Sequence, residues 1–319
     1  MIVMKFGGTS VADAGAIRRV VSIVKGRVAE RPIVVVSAFA RVTDALLEAG
    51  WCSVEGRLHS AMAKVDGIRR RTIDIAAALL DSTVRGQVFR ALEQDLELLE
   101  TLLGGAAAVH EFSPRTSDAV AAFGELISSR VIAAALVSAG VNATFVDSRD
   151  CIVTDEQHTR AVPLYEETER QLRLRVAEAT THGVVPVLGG FIAATTRGVT
   201  TTLGRGGSDF SAALIGQCVQ ATRVEIWTDV NGIMTCDPRI CPDAKTVDEI
   251  SFDEAAQLAA FGAKVIHPAT LVPAVQNDIP VWVLNTFHAD GPGTCIQRQV
   301  PGRRQTVKAI AAKKNVSVF

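Results

Sequence analysis

The sequence predicts an α/β protein built from βαβ units around a mostly parallel sheet. Short runs rich in β-branched residues alternate with Ala-rich helical stretches along the whole chain, which is the pattern of such units. The 319 residues are 48% hydrophobic, enough to bury one large core or two modest ones. No internal repeat and no Pro- or Ser-rich linker divides the sequence. The predicted strands, short and β-branched as buried strands are, cover residues 2–6, 33–37, 143–146, 184–188, 224–228 and 281–284.

The longest predicted helical region runs from about residue 54 to 140. Apolar side chains recur there at helical spacing, which indicates a face turned towards the core. The stripe consists of Phe89, Leu92, Leu96, Leu99 and Leu103. Shorter helical stretches are predicted at 16–25, 210–217 and 252–260.

Composition excludes several classes of function. Lys and Arg number 33 against 34 Asp and Glu, so no bulk positive field attracts nucleic acid or an anionic membrane, and a phosphate site must be local. The longest nearly uncharged apolar stretch, 131–141, is shorter than the roughly 20 residues of a membrane span. Six Cys without a C-x-x-C pair indicate free thiols in a reducing compartment. We therefore expect a cytoplasmic protein.

The segment KFGGTS, from Lys5 to Ser10, lies between the first strand and the first predicted helix. Gly7 and Gly8 let the backbone approach an anion, Thr9 and Ser10 add hydroxyl donors, and the helix N-terminus adds partial positive charge. Lys5 adds a full positive charge. The alternative is a tight turn whose lysine is surface charge. The segment matches neither the P-loop nor the dinucleotide-binding pattern.

A second glycine-rich segment, TTTLGRGGSD at 200–209, opens a predicted helix. Three close glycines indicate a required backbone shape, because their chain entropy is costly to lose. Arg205 offers a planar fork for a carboxylate or phosphate. Ser208 or Asp209 can cap the helix, and Asp209 can also orient a lysine.

Two segments near the C-terminal end carry weaker signals. Residues 227–239 follow a strand end, where α/β sheets bind ligands, although Asn-Gly and Asp-Pro alone indicate only turns. Lys264 lies in an apolar run, so it should reach an anion, or else extend to solvent. His267 is expected to be structural. A zinc site using Cys236, Cys241 and His267 fits no zinc spacing.

Glu125 interrupts a run of small and apolar residues. A carboxylate in such surroundings must find a donor. The candidates are a substrate ammonium group and a salt bridge to Arg130 or another local base.

These motifs together resemble the catalytic domain of aspartokinases, members of the amino acid kinase family, from Lys5 to about Cys295. The matching motifs are KFGGTS, GEL at 124–126, TTLGRGGSD, TDV-x-GI-x-T-x-DPR and FGAKVIHP. The resemblance implies the amino acid kinase (carbamate kinase-like) fold, an open sheet sandwiched by helices. It also implies an aspartate-binding lobe at 1–195 and a nucleotide-binding lobe at 196–299. The implied reaction converts ATP and L-aspartate to ADP and 4-phospho-L-aspartate, the first committed step towards lysine, threonine and methionine.

The resemblance also implies a role for each matching residue. Lys5 stabilises the transferring phosphoryl group and Asp209 organises that lysine, so these two are the expected catalytic residues. The residues implied to hold aspartate are Thr43, Glu125, Phe191, Arg205 and Ser208. Those implied to hold ATP are Lys5, Gly7, Gly8, Ser10, Thr228, Asp229, Met234, Arg239, Lys264 and Val265. The expected cofactors are ATP and Mg²⁺, with no metal-binding residue of the protein among them.

The sequence departs from the family pattern in three places. Asp44 stands where many members have Asn, which adds negative charge beside an anionic substrate. Met234 replaces an aromatic residue near the adenine but keeps apolar contact. Aspartokinases continue into paired ACT domains, whereas residues 300–319 resemble a linker and the first ACT strand. We expect either a truncated polypeptide or pairing of this edge with a second chain, as in a homodimer.

Two other functions compete with this interpretation. One is a related kinase acting on glutamate, N-acetylglutamate or a nucleoside monophosphate, but Arg205 and Glu125 favour a free α-amino acid. The other is a catalytically silent binding or regulatory subunit. Four charged residues argue against a silent subunit, because without chemistry there is no physical reason to keep buried charge: Lys5, Arg205, Asp209 and Lys264.

Overall fold

A computed structural model describes residues 1–260, 268–300 and 307–311 of the chain. The strands are β1 (Ile2–Phe6), β2 (Pro32–Val36), β3 (Ala143–Val146), β4 (Val153–Thr154), β5 (Val185–Gly189), β6 (Ile192–Thr195), β7 (Thr200–Thr202), β8 (Arg223–Thr228), β9 (Glu249–Ser251), β10 (Val281–Asn285) and β11 (Thr294–Gln297). The α-helices are α1 (Ala14–Arg27), α2 (Val42–Val54), α3 (Leu58–Leu79), α4 (Ser82–Val109), α5 (Pro114–Ala121), α6 (Phe123–Ser138), α7 (Tyr165–Leu172), α8 (Glu178–Thr181), α9 (Gly207–Cys218), α10 (Phe252–Ala260) and α11 (Val272–Gln276).

The main sheet has eight strands in the order β3-β5-β2-β1-β8-β10-β11-β9. Its strands from β3 to β10 pair in parallel, and β11 reverses direction against β10. A smaller sheet, β4-β6-β7, lies beside it. Because β1 pairs with both β2 and β8, the main sheet runs without interruption through the two lobes predicted from the sequence. The lobe boundary itself stays a prediction.

The six predicted strands are confirmed as β1, β2, β3, β5, β8 and β10, with ends shifted by at most one residue. All of them except β3, a partly exposed edge strand, are largely buried runs rich in apolar residues, so the local pattern was sufficient to find them. The strands that the sequence did not predict are β4, β6, β7, β9 and β11, which have two to four residues each. Runs that short carry too little periodicity to be recognised.

Helices cover both faces of the main sheet, as an open sandwiched sheet requires. Alternate residues of β1 point to opposite faces: Ile2, Met4 and Phe6 join one core cluster, and Val3 joins the other. The first cluster includes the apolar stripe of α4, in which Leu92, Leu96, Leu99 and Leu103 are buried and Phe89 is partly buried. The second cluster buries the apolar face of α9. The α/β class and the layered arrangement are therefore confirmed.

One helical stretch among the described residues, Pro114–Ser138, is long and apolar enough to cross a membrane by length and composition. The fold buries 89% of its most apolar window. Within this stretch, α6 packs against α4, β3 and β5. Its apolar surface is therefore accounted for by contacts inside the protein.

Of the C-terminal tail, residues 307–311 belong to the described part of the chain. Residues 301–306 and 312–319 lie outside the described residues, so the strand expected at 316–319 lies there too. Residues 307–311 carry no strand. The backbone N–H of Ile310 donates to the carbonyl of Thr235 at 2.8 Å, which fixes this short segment against the loop after β8.

Candidate active site

A cleft of about 390 Å³ opens at the carboxyl ends of β1, β2 and β5. This is the edge at which parallel sheets bind ligands, because the loops that follow the strands meet there. Parts of several segments that the sequence indicated as functional line this cleft. Its lining consists of Lys5, Gly8, residues 37–41, Thr43, Asp44, Glu125, Phe191, Gly204 and residues 206–209.

Lys5 and Asp209 form an ion pair inside this cleft. Lys5 Nζ lies 2.6 Å from Asp209 Oδ1, and the two side chains are only 11% and 18% exposed. Strand β1 supplies the lysine and the first turn of α9 supplies the carboxylate. The sequence-based hypothesis that Asp209 orients a lysine agrees with this geometry.

The expected capping role of Ser208 or Asp209 is wrong. Helix α9 begins at Gly207, and its N-cap is Gly206, with φ 75° and no capping side chain. A left-handed residue is needed there for the chain to enter the helix, and glycine adopts that conformation without strain. Asp209, three residues past the cap, is free to pair with Lys5.

Gly190 shows why β5 must end in small residues. A Cβ atom built on Gly190 would lie 2.7 Å from Ser208 Cα, closer than van der Waals contact allows. The absent side chain therefore lets the N-terminus of α9 pack directly against the end of β5. This contact places Ser208 and Asp209 on the wall of the cleft.

Glu125 is buried at the base of the cleft, with 4% of its surface exposed. Its Oε1 accepts a hydrogen bond from the Ala38 backbone N–H at 3.1 Å, and its Oε2 has no hydrogen-bond partner among the described residues. Burial raises the pKa of Glu125 to about 8, although the Ala38 N–H and the charge of Lys5 act in the opposite direction. The side chain thus presents one unpaired oxygen in a poorly solvated position.

The alternative partner considered for Glu125 is wrong. Arg130 instead pairs with Asp95, with Nε 3.0 Å from Oδ2. The Arg130 guanidinium also lies over the ring of Phe145, 4.4 Å from the ring centre. Glu125 and Arg130 point to different layers because five residues along a helix turn a side chain well away from its starting face.

The loop between β2 and α2 lines the cleft, whereas the residues expected here from the sequence, Thr43 and Asp44, lie just after it in the first turn of α2. Residues 37–41 belong to the lining as well. Gly8 lets the two loops touch, since a Cβ at Gly8 would lie 3.3 Å from the Ala38 carbonyl oxygen. The signal that could have found this loop is its place at the carboxyl end of a predicted parallel strand.

The N-terminal loop differs in part from expectation. Ser10 is fully buried, and its hydroxyl lies 2.7 Å from the Thr286 hydroxyl and 3.3 Å from the Trp227 carbonyl. It therefore ties the loop after β1 to the ends of β8 and β10. Helix α1 begins at Ala14, and its N-cap Asp13 accepts a hydrogen bond from the Ala16 N–H. Its own Asp13 thus takes one of the free N–H groups of the first turn, and the expected contribution of this helix N-terminus to an anion site stays a prediction.

Phe191 and Arg205 take contrasting positions. Phe191 lines the cleft with a left-handed backbone, φ 67°, which is uncommon for a bulky residue. Its N–H donates to Ser211 Oγ at 3.0 Å and its carbonyl accepts from Leu203 N–H at 2.9 Å. Arg205 is exposed and does not belong to the cleft lining, although Gly204 and Gly206 on either side of it do.

Asp118 anchors the strand that leads into this glycine-rich turn. Its buried carboxylate accepts hydrogen bonds from the Thr202 hydroxyl at 2.6 Å and the Thr159 N–H at 2.9 Å, and it pairs with His158 Nδ1 at 2.8 Å. These contacts fix α5, β7 and the loop after β4 to one another. The turn that carries Arg205 therefore follows a strand whose end is held in place by the hydrogen bond to Asp118.

The expected nucleotide residues at the end of β8 lie on the same edge of the sheet. The Gly7 N–H donates to the Trp227 carbonyl at 3.1 Å, so the glycine loop touches the last residues of β8. Thr228 follows Trp227 directly, and its hydroxyl donates a hydrogen bond to the carboxylate of the exposed Asp229. The Thr228 carbonyl accepts from the Thr286 N–H at 2.8 Å, which adds the end of β10 to this edge.

Other expected nucleotide residues are more scattered. Met234 is half-buried and forms an isolated antiparallel β-bridge with Thr246. Arg239 is 84% exposed at its side chain and pairs with Asp237 at 2.6 Å. Lys264 and Val265, together with His267, lie outside the described residues.

No metal centre is assembled from the described residues: none of their His, Cys, Asp and Glu side chains forms a group of three that could hold an ion. Cys236 and Cys241 both belong to the described part and are free thiols, as are the other four cysteines. Mg²⁺ is usually bound through one or two carboxylates together with substrate phosphates. Asp209 and Asp229 are two carboxylates at this edge of the sheet.

The chain matches the amino acid kinase family over residues 1–285. It is 35% identical to aspartokinase 2, chloroplastic, of Arabidopsis thaliana, over 99% of this chain and 58% of that protein. It is 38% identical to the lysine-sensitive aspartokinase 3 of Escherichia coli, over 100% of this chain and 69% of that protein. The crystal structure of E. coli aspartokinase III in complex with aspartate and ADP superposes with a TM-score of 0.85 and 39% identity, over 94% of this chain and 65% of that one. The chain thus spans somewhat more than half the length of these relatives.

Proposed function

Because the chain belongs to the amino acid kinase family and, within it, to the aspartokinases, we propose that it transfers the γ-phosphoryl group of ATP to the β-carboxylate of L-aspartate. The observation that carries the proposal is the cleft in which the Lys5–Asp209 ion pair faces the buried Glu125. This arrangement offers a cation for a phosphoryl group and a carboxylate for an ammonium group. The product, 4-phospho-L-aspartate, leads to lysine, threonine and methionine, and the reaction takes place in the cytoplasm.

The acceptor end of the site is assigned to the side chains around Glu125. The α-ammonium of aspartate would meet the unpaired Oε2 of Glu125, which removes the penalty of leaving that oxygen buried without a donor. The hydroxyls of Thr43 and Ser208 and the ring of Phe191 line the same cleft and would orient the substrate. Arg205 would turn inwards from the adjacent glycine turn to take the α-carboxylate.

The transfer itself needs positioning and charge neutralisation rather than covalent help from the protein. Lys5 would stabilise the negative charge that spreads over the transferring group, with Asp209 holding its ammonium in place. Gly7 and Gly8 leave room for the phosphates beside it. The β-carboxylate of aspartate is ionised at neutral pH, since its reference pKa is near 4, so it attacks without a general base.

ATP would enter as its Mg²⁺ complex along the ends of β8 and β10. Arg239 and Lys264 are assigned to its phosphates, and the other residues assigned to the nucleotide are Thr228, Asp229, Met234 and Val265. The metal, when bound with the nucleotide, neutralises phosphate charge, and Asp209 and Asp229 are the carboxylates able to hold it. Support for ATP as donor comes from the aspartokinase III complex, which was solved with ADP. We assign residues 1–195 to the aspartate lobe and 196–299 to the nucleotide lobe.

Substitution of Arg205 by alanine (R205A) should weaken aspartate binding by about 2 to 5 kcal/mol, as expected when one partner of a desolvated charge pair is lost. Isothermal titration with aspartate measures this directly. The matched control is Arg197→Ala, which removes an exposed arginine from the surface turn before β7, where it pairs with Glu156. Aspartate affinity equal to wild type in R205A removes Arg205 from the site.

The proposed function is tested by ADP release from MgATP in separate reactions with L-aspartate, L-glutamate, N-acetylglutamate and UMP. We expect release with aspartate alone. Release with another of these acceptors reassigns the substrate within the amino acid kinase family. ATP binding without release on any acceptor favours the silent-subunit alternative.

A further inference from the structure

Arg41 stands at the mouth of the cleft in an unusual backbone conformation. It lines the cleft and is the N-cap of α2, with φ 67°. Non-glycine residues seldom adopt positive φ, because Cβ then crowds the neighbouring carbonyl. Arginine has no short polar side chain with which to offset the strain locally. Such outliers persist where the surrounding structure imposes them, and they are concentrated at functional sites.

Arg71 on α3 holds this backbone in place from behind. Its Nη1 donates to the carbonyl of Ala40 at 2.7 Å and its Nη2 to the carbonyl of Ala12 at 2.7 Å. The Ala40 carbonyl belongs to the peptide plane whose rotation sets φ of Arg41. A guanidinium bonded to it therefore opposes rotation of that plane, which holds the backbone from which the Arg41 side chain leaves.

The charges along the cleft single out Arg41. Among the described lining residues the cations are Lys5 and Arg41, and Lys5 is already paired with Asp209. The Arg41 side chain is exposed and makes no hydrogen bond or ion pair with the described part of the chain. Asp44, one helical turn later, lines the same rim and repels an anion, so attraction of a carboxylate at this rim requires a nearby cation.

We propose that Arg41 binds a carboxylate of the amino acid substrate and offsets the repulsion from Asp44. The inference rests on the proposed function and adds a substrate contact to it. A guanidinium suits the role because its planar fork takes a carboxylate through two charge-assisted hydrogen bonds. Its position at the start of α2 adds the partial positive charge of the helix N-terminus.

Substitution of Arg41 by glycine (R41G) separates binding from folding. Glycine adopts the left-handed conformation without strain, so R41G should melt at or above the wild-type temperature. The KM for aspartate should nevertheless rise by at least about tenfold, because a charge-assisted contact is lost. The KM for ATP should stay within about twofold, since Arg41 faces the acceptor end. R41K keeps the charge without the fork and should give an intermediate KM for aspartate.

Arg31 provides a matched control. It is also an exposed arginine in the left-handed conformation, with φ 52°, but it precedes β2 and so lies at the opposite edge of the sheet from the cleft. R31G should relieve similar strain and leave both KM values unchanged.

Three outcomes overturn the proposal: an aspartate KM in R41G equal to wild type, a rise confined to the KM for ATP, or an equal effect in R31G. Absence of aspartate-dependent turnover in the wild type contradicts the proposed function instead. Calorimetric titration with aspartate then decides about Arg41 by itself. Wild-type binding that R41G weakens supports the contact, and equal binding or no binding overturns it.

Discussion

Substitution of Lys5 by alanine (K5A) is expected to lower kcat by at least about 10³-fold, because preorganised charge at the transferring group is the main source of catalysis in this type of reaction. Aspartate affinity should stay within about threefold of wild type, since Glu125 and the hydroxyls around it hold the acceptor. Single-turnover rates and calorimetric titration with aspartate measure the two quantities separately.

Loss of Lys5 also leaves Asp209 unpaired in a position that is 18% exposed. The double variant K5A/D209N removes this unpaired carboxylate, and it should restore stability without restoring turnover. Lys25→Ala serves as the surface control, because Lys25 is exposed and, within the described part of the chain, its ammonium bonds only the Ala139 carbonyl. Turnover by K5A at the wild-type rate is incompatible with the assigned role of Lys5.

Substitution of Glu125 by glutamine (E125Q) should have opposite effects on binding and on stability. Glutamine keeps the shape and can still accept from the Ala38 N–H, but it carries no charge for the substrate ammonium. We expect aspartate affinity to fall by about 2 to 5 kcal/mol. A variant that binds aspartate as tightly as wild type excludes Glu125 as the ammonium partner.

The stability effect follows from the pKa of Glu125, which burial raises from 4.5 to about 8. Between these two values the unfolded chain has lost a proton that the folded protein keeps, so the free energy of unfolding falls as the pH rises. The loss is on the order of 5 kcal/mol across this window and levels off above it. E125Q removes this penalty, so it should match wild type near pH 4.5 and be more stable near pH 8.

Denaturant unfolding of the ligand-free protein at several pH values checks this difference. Glu97→Gln is the control, because Glu97 is exposed on α4. A wild-type stability that rises through the same pH window contradicts an elevated pKa of Glu125. Aspartate binding should also release protons near neutral pH, since the substrate ammonium favours the ionised carboxylate.

Although β3 is a partly exposed edge strand, much of the fold could be read from the sequence because the other five of the six predicted strands are buried inside the sheet. Such strands need continuous β-branched runs, and those runs stand out locally. The strands β4, β6, β7, β9 and β11 and the loop at 37–41 could not be predicted, because they have no long β-branched run. These segments are short, and many of their residues are polar or small. Their contribution to the sheet or to the cleft depends on which elements lie beside them.

The sequence by itself determined the central sheet and the segments that reach its carboxyl edge, because strand and turn patterns are local and parallel strands end at one edge. Only the tertiary structure decided which groups meet there. It paired Asp209 with Lys5 rather than with its own helix end, and Glu125 with the Ala38 N–H rather than with Arg130. It also placed Arg41 at the mouth of the cleft. These contacts join residues from separate elements, so they depend on how helices and strands pack, which no local pattern encodes.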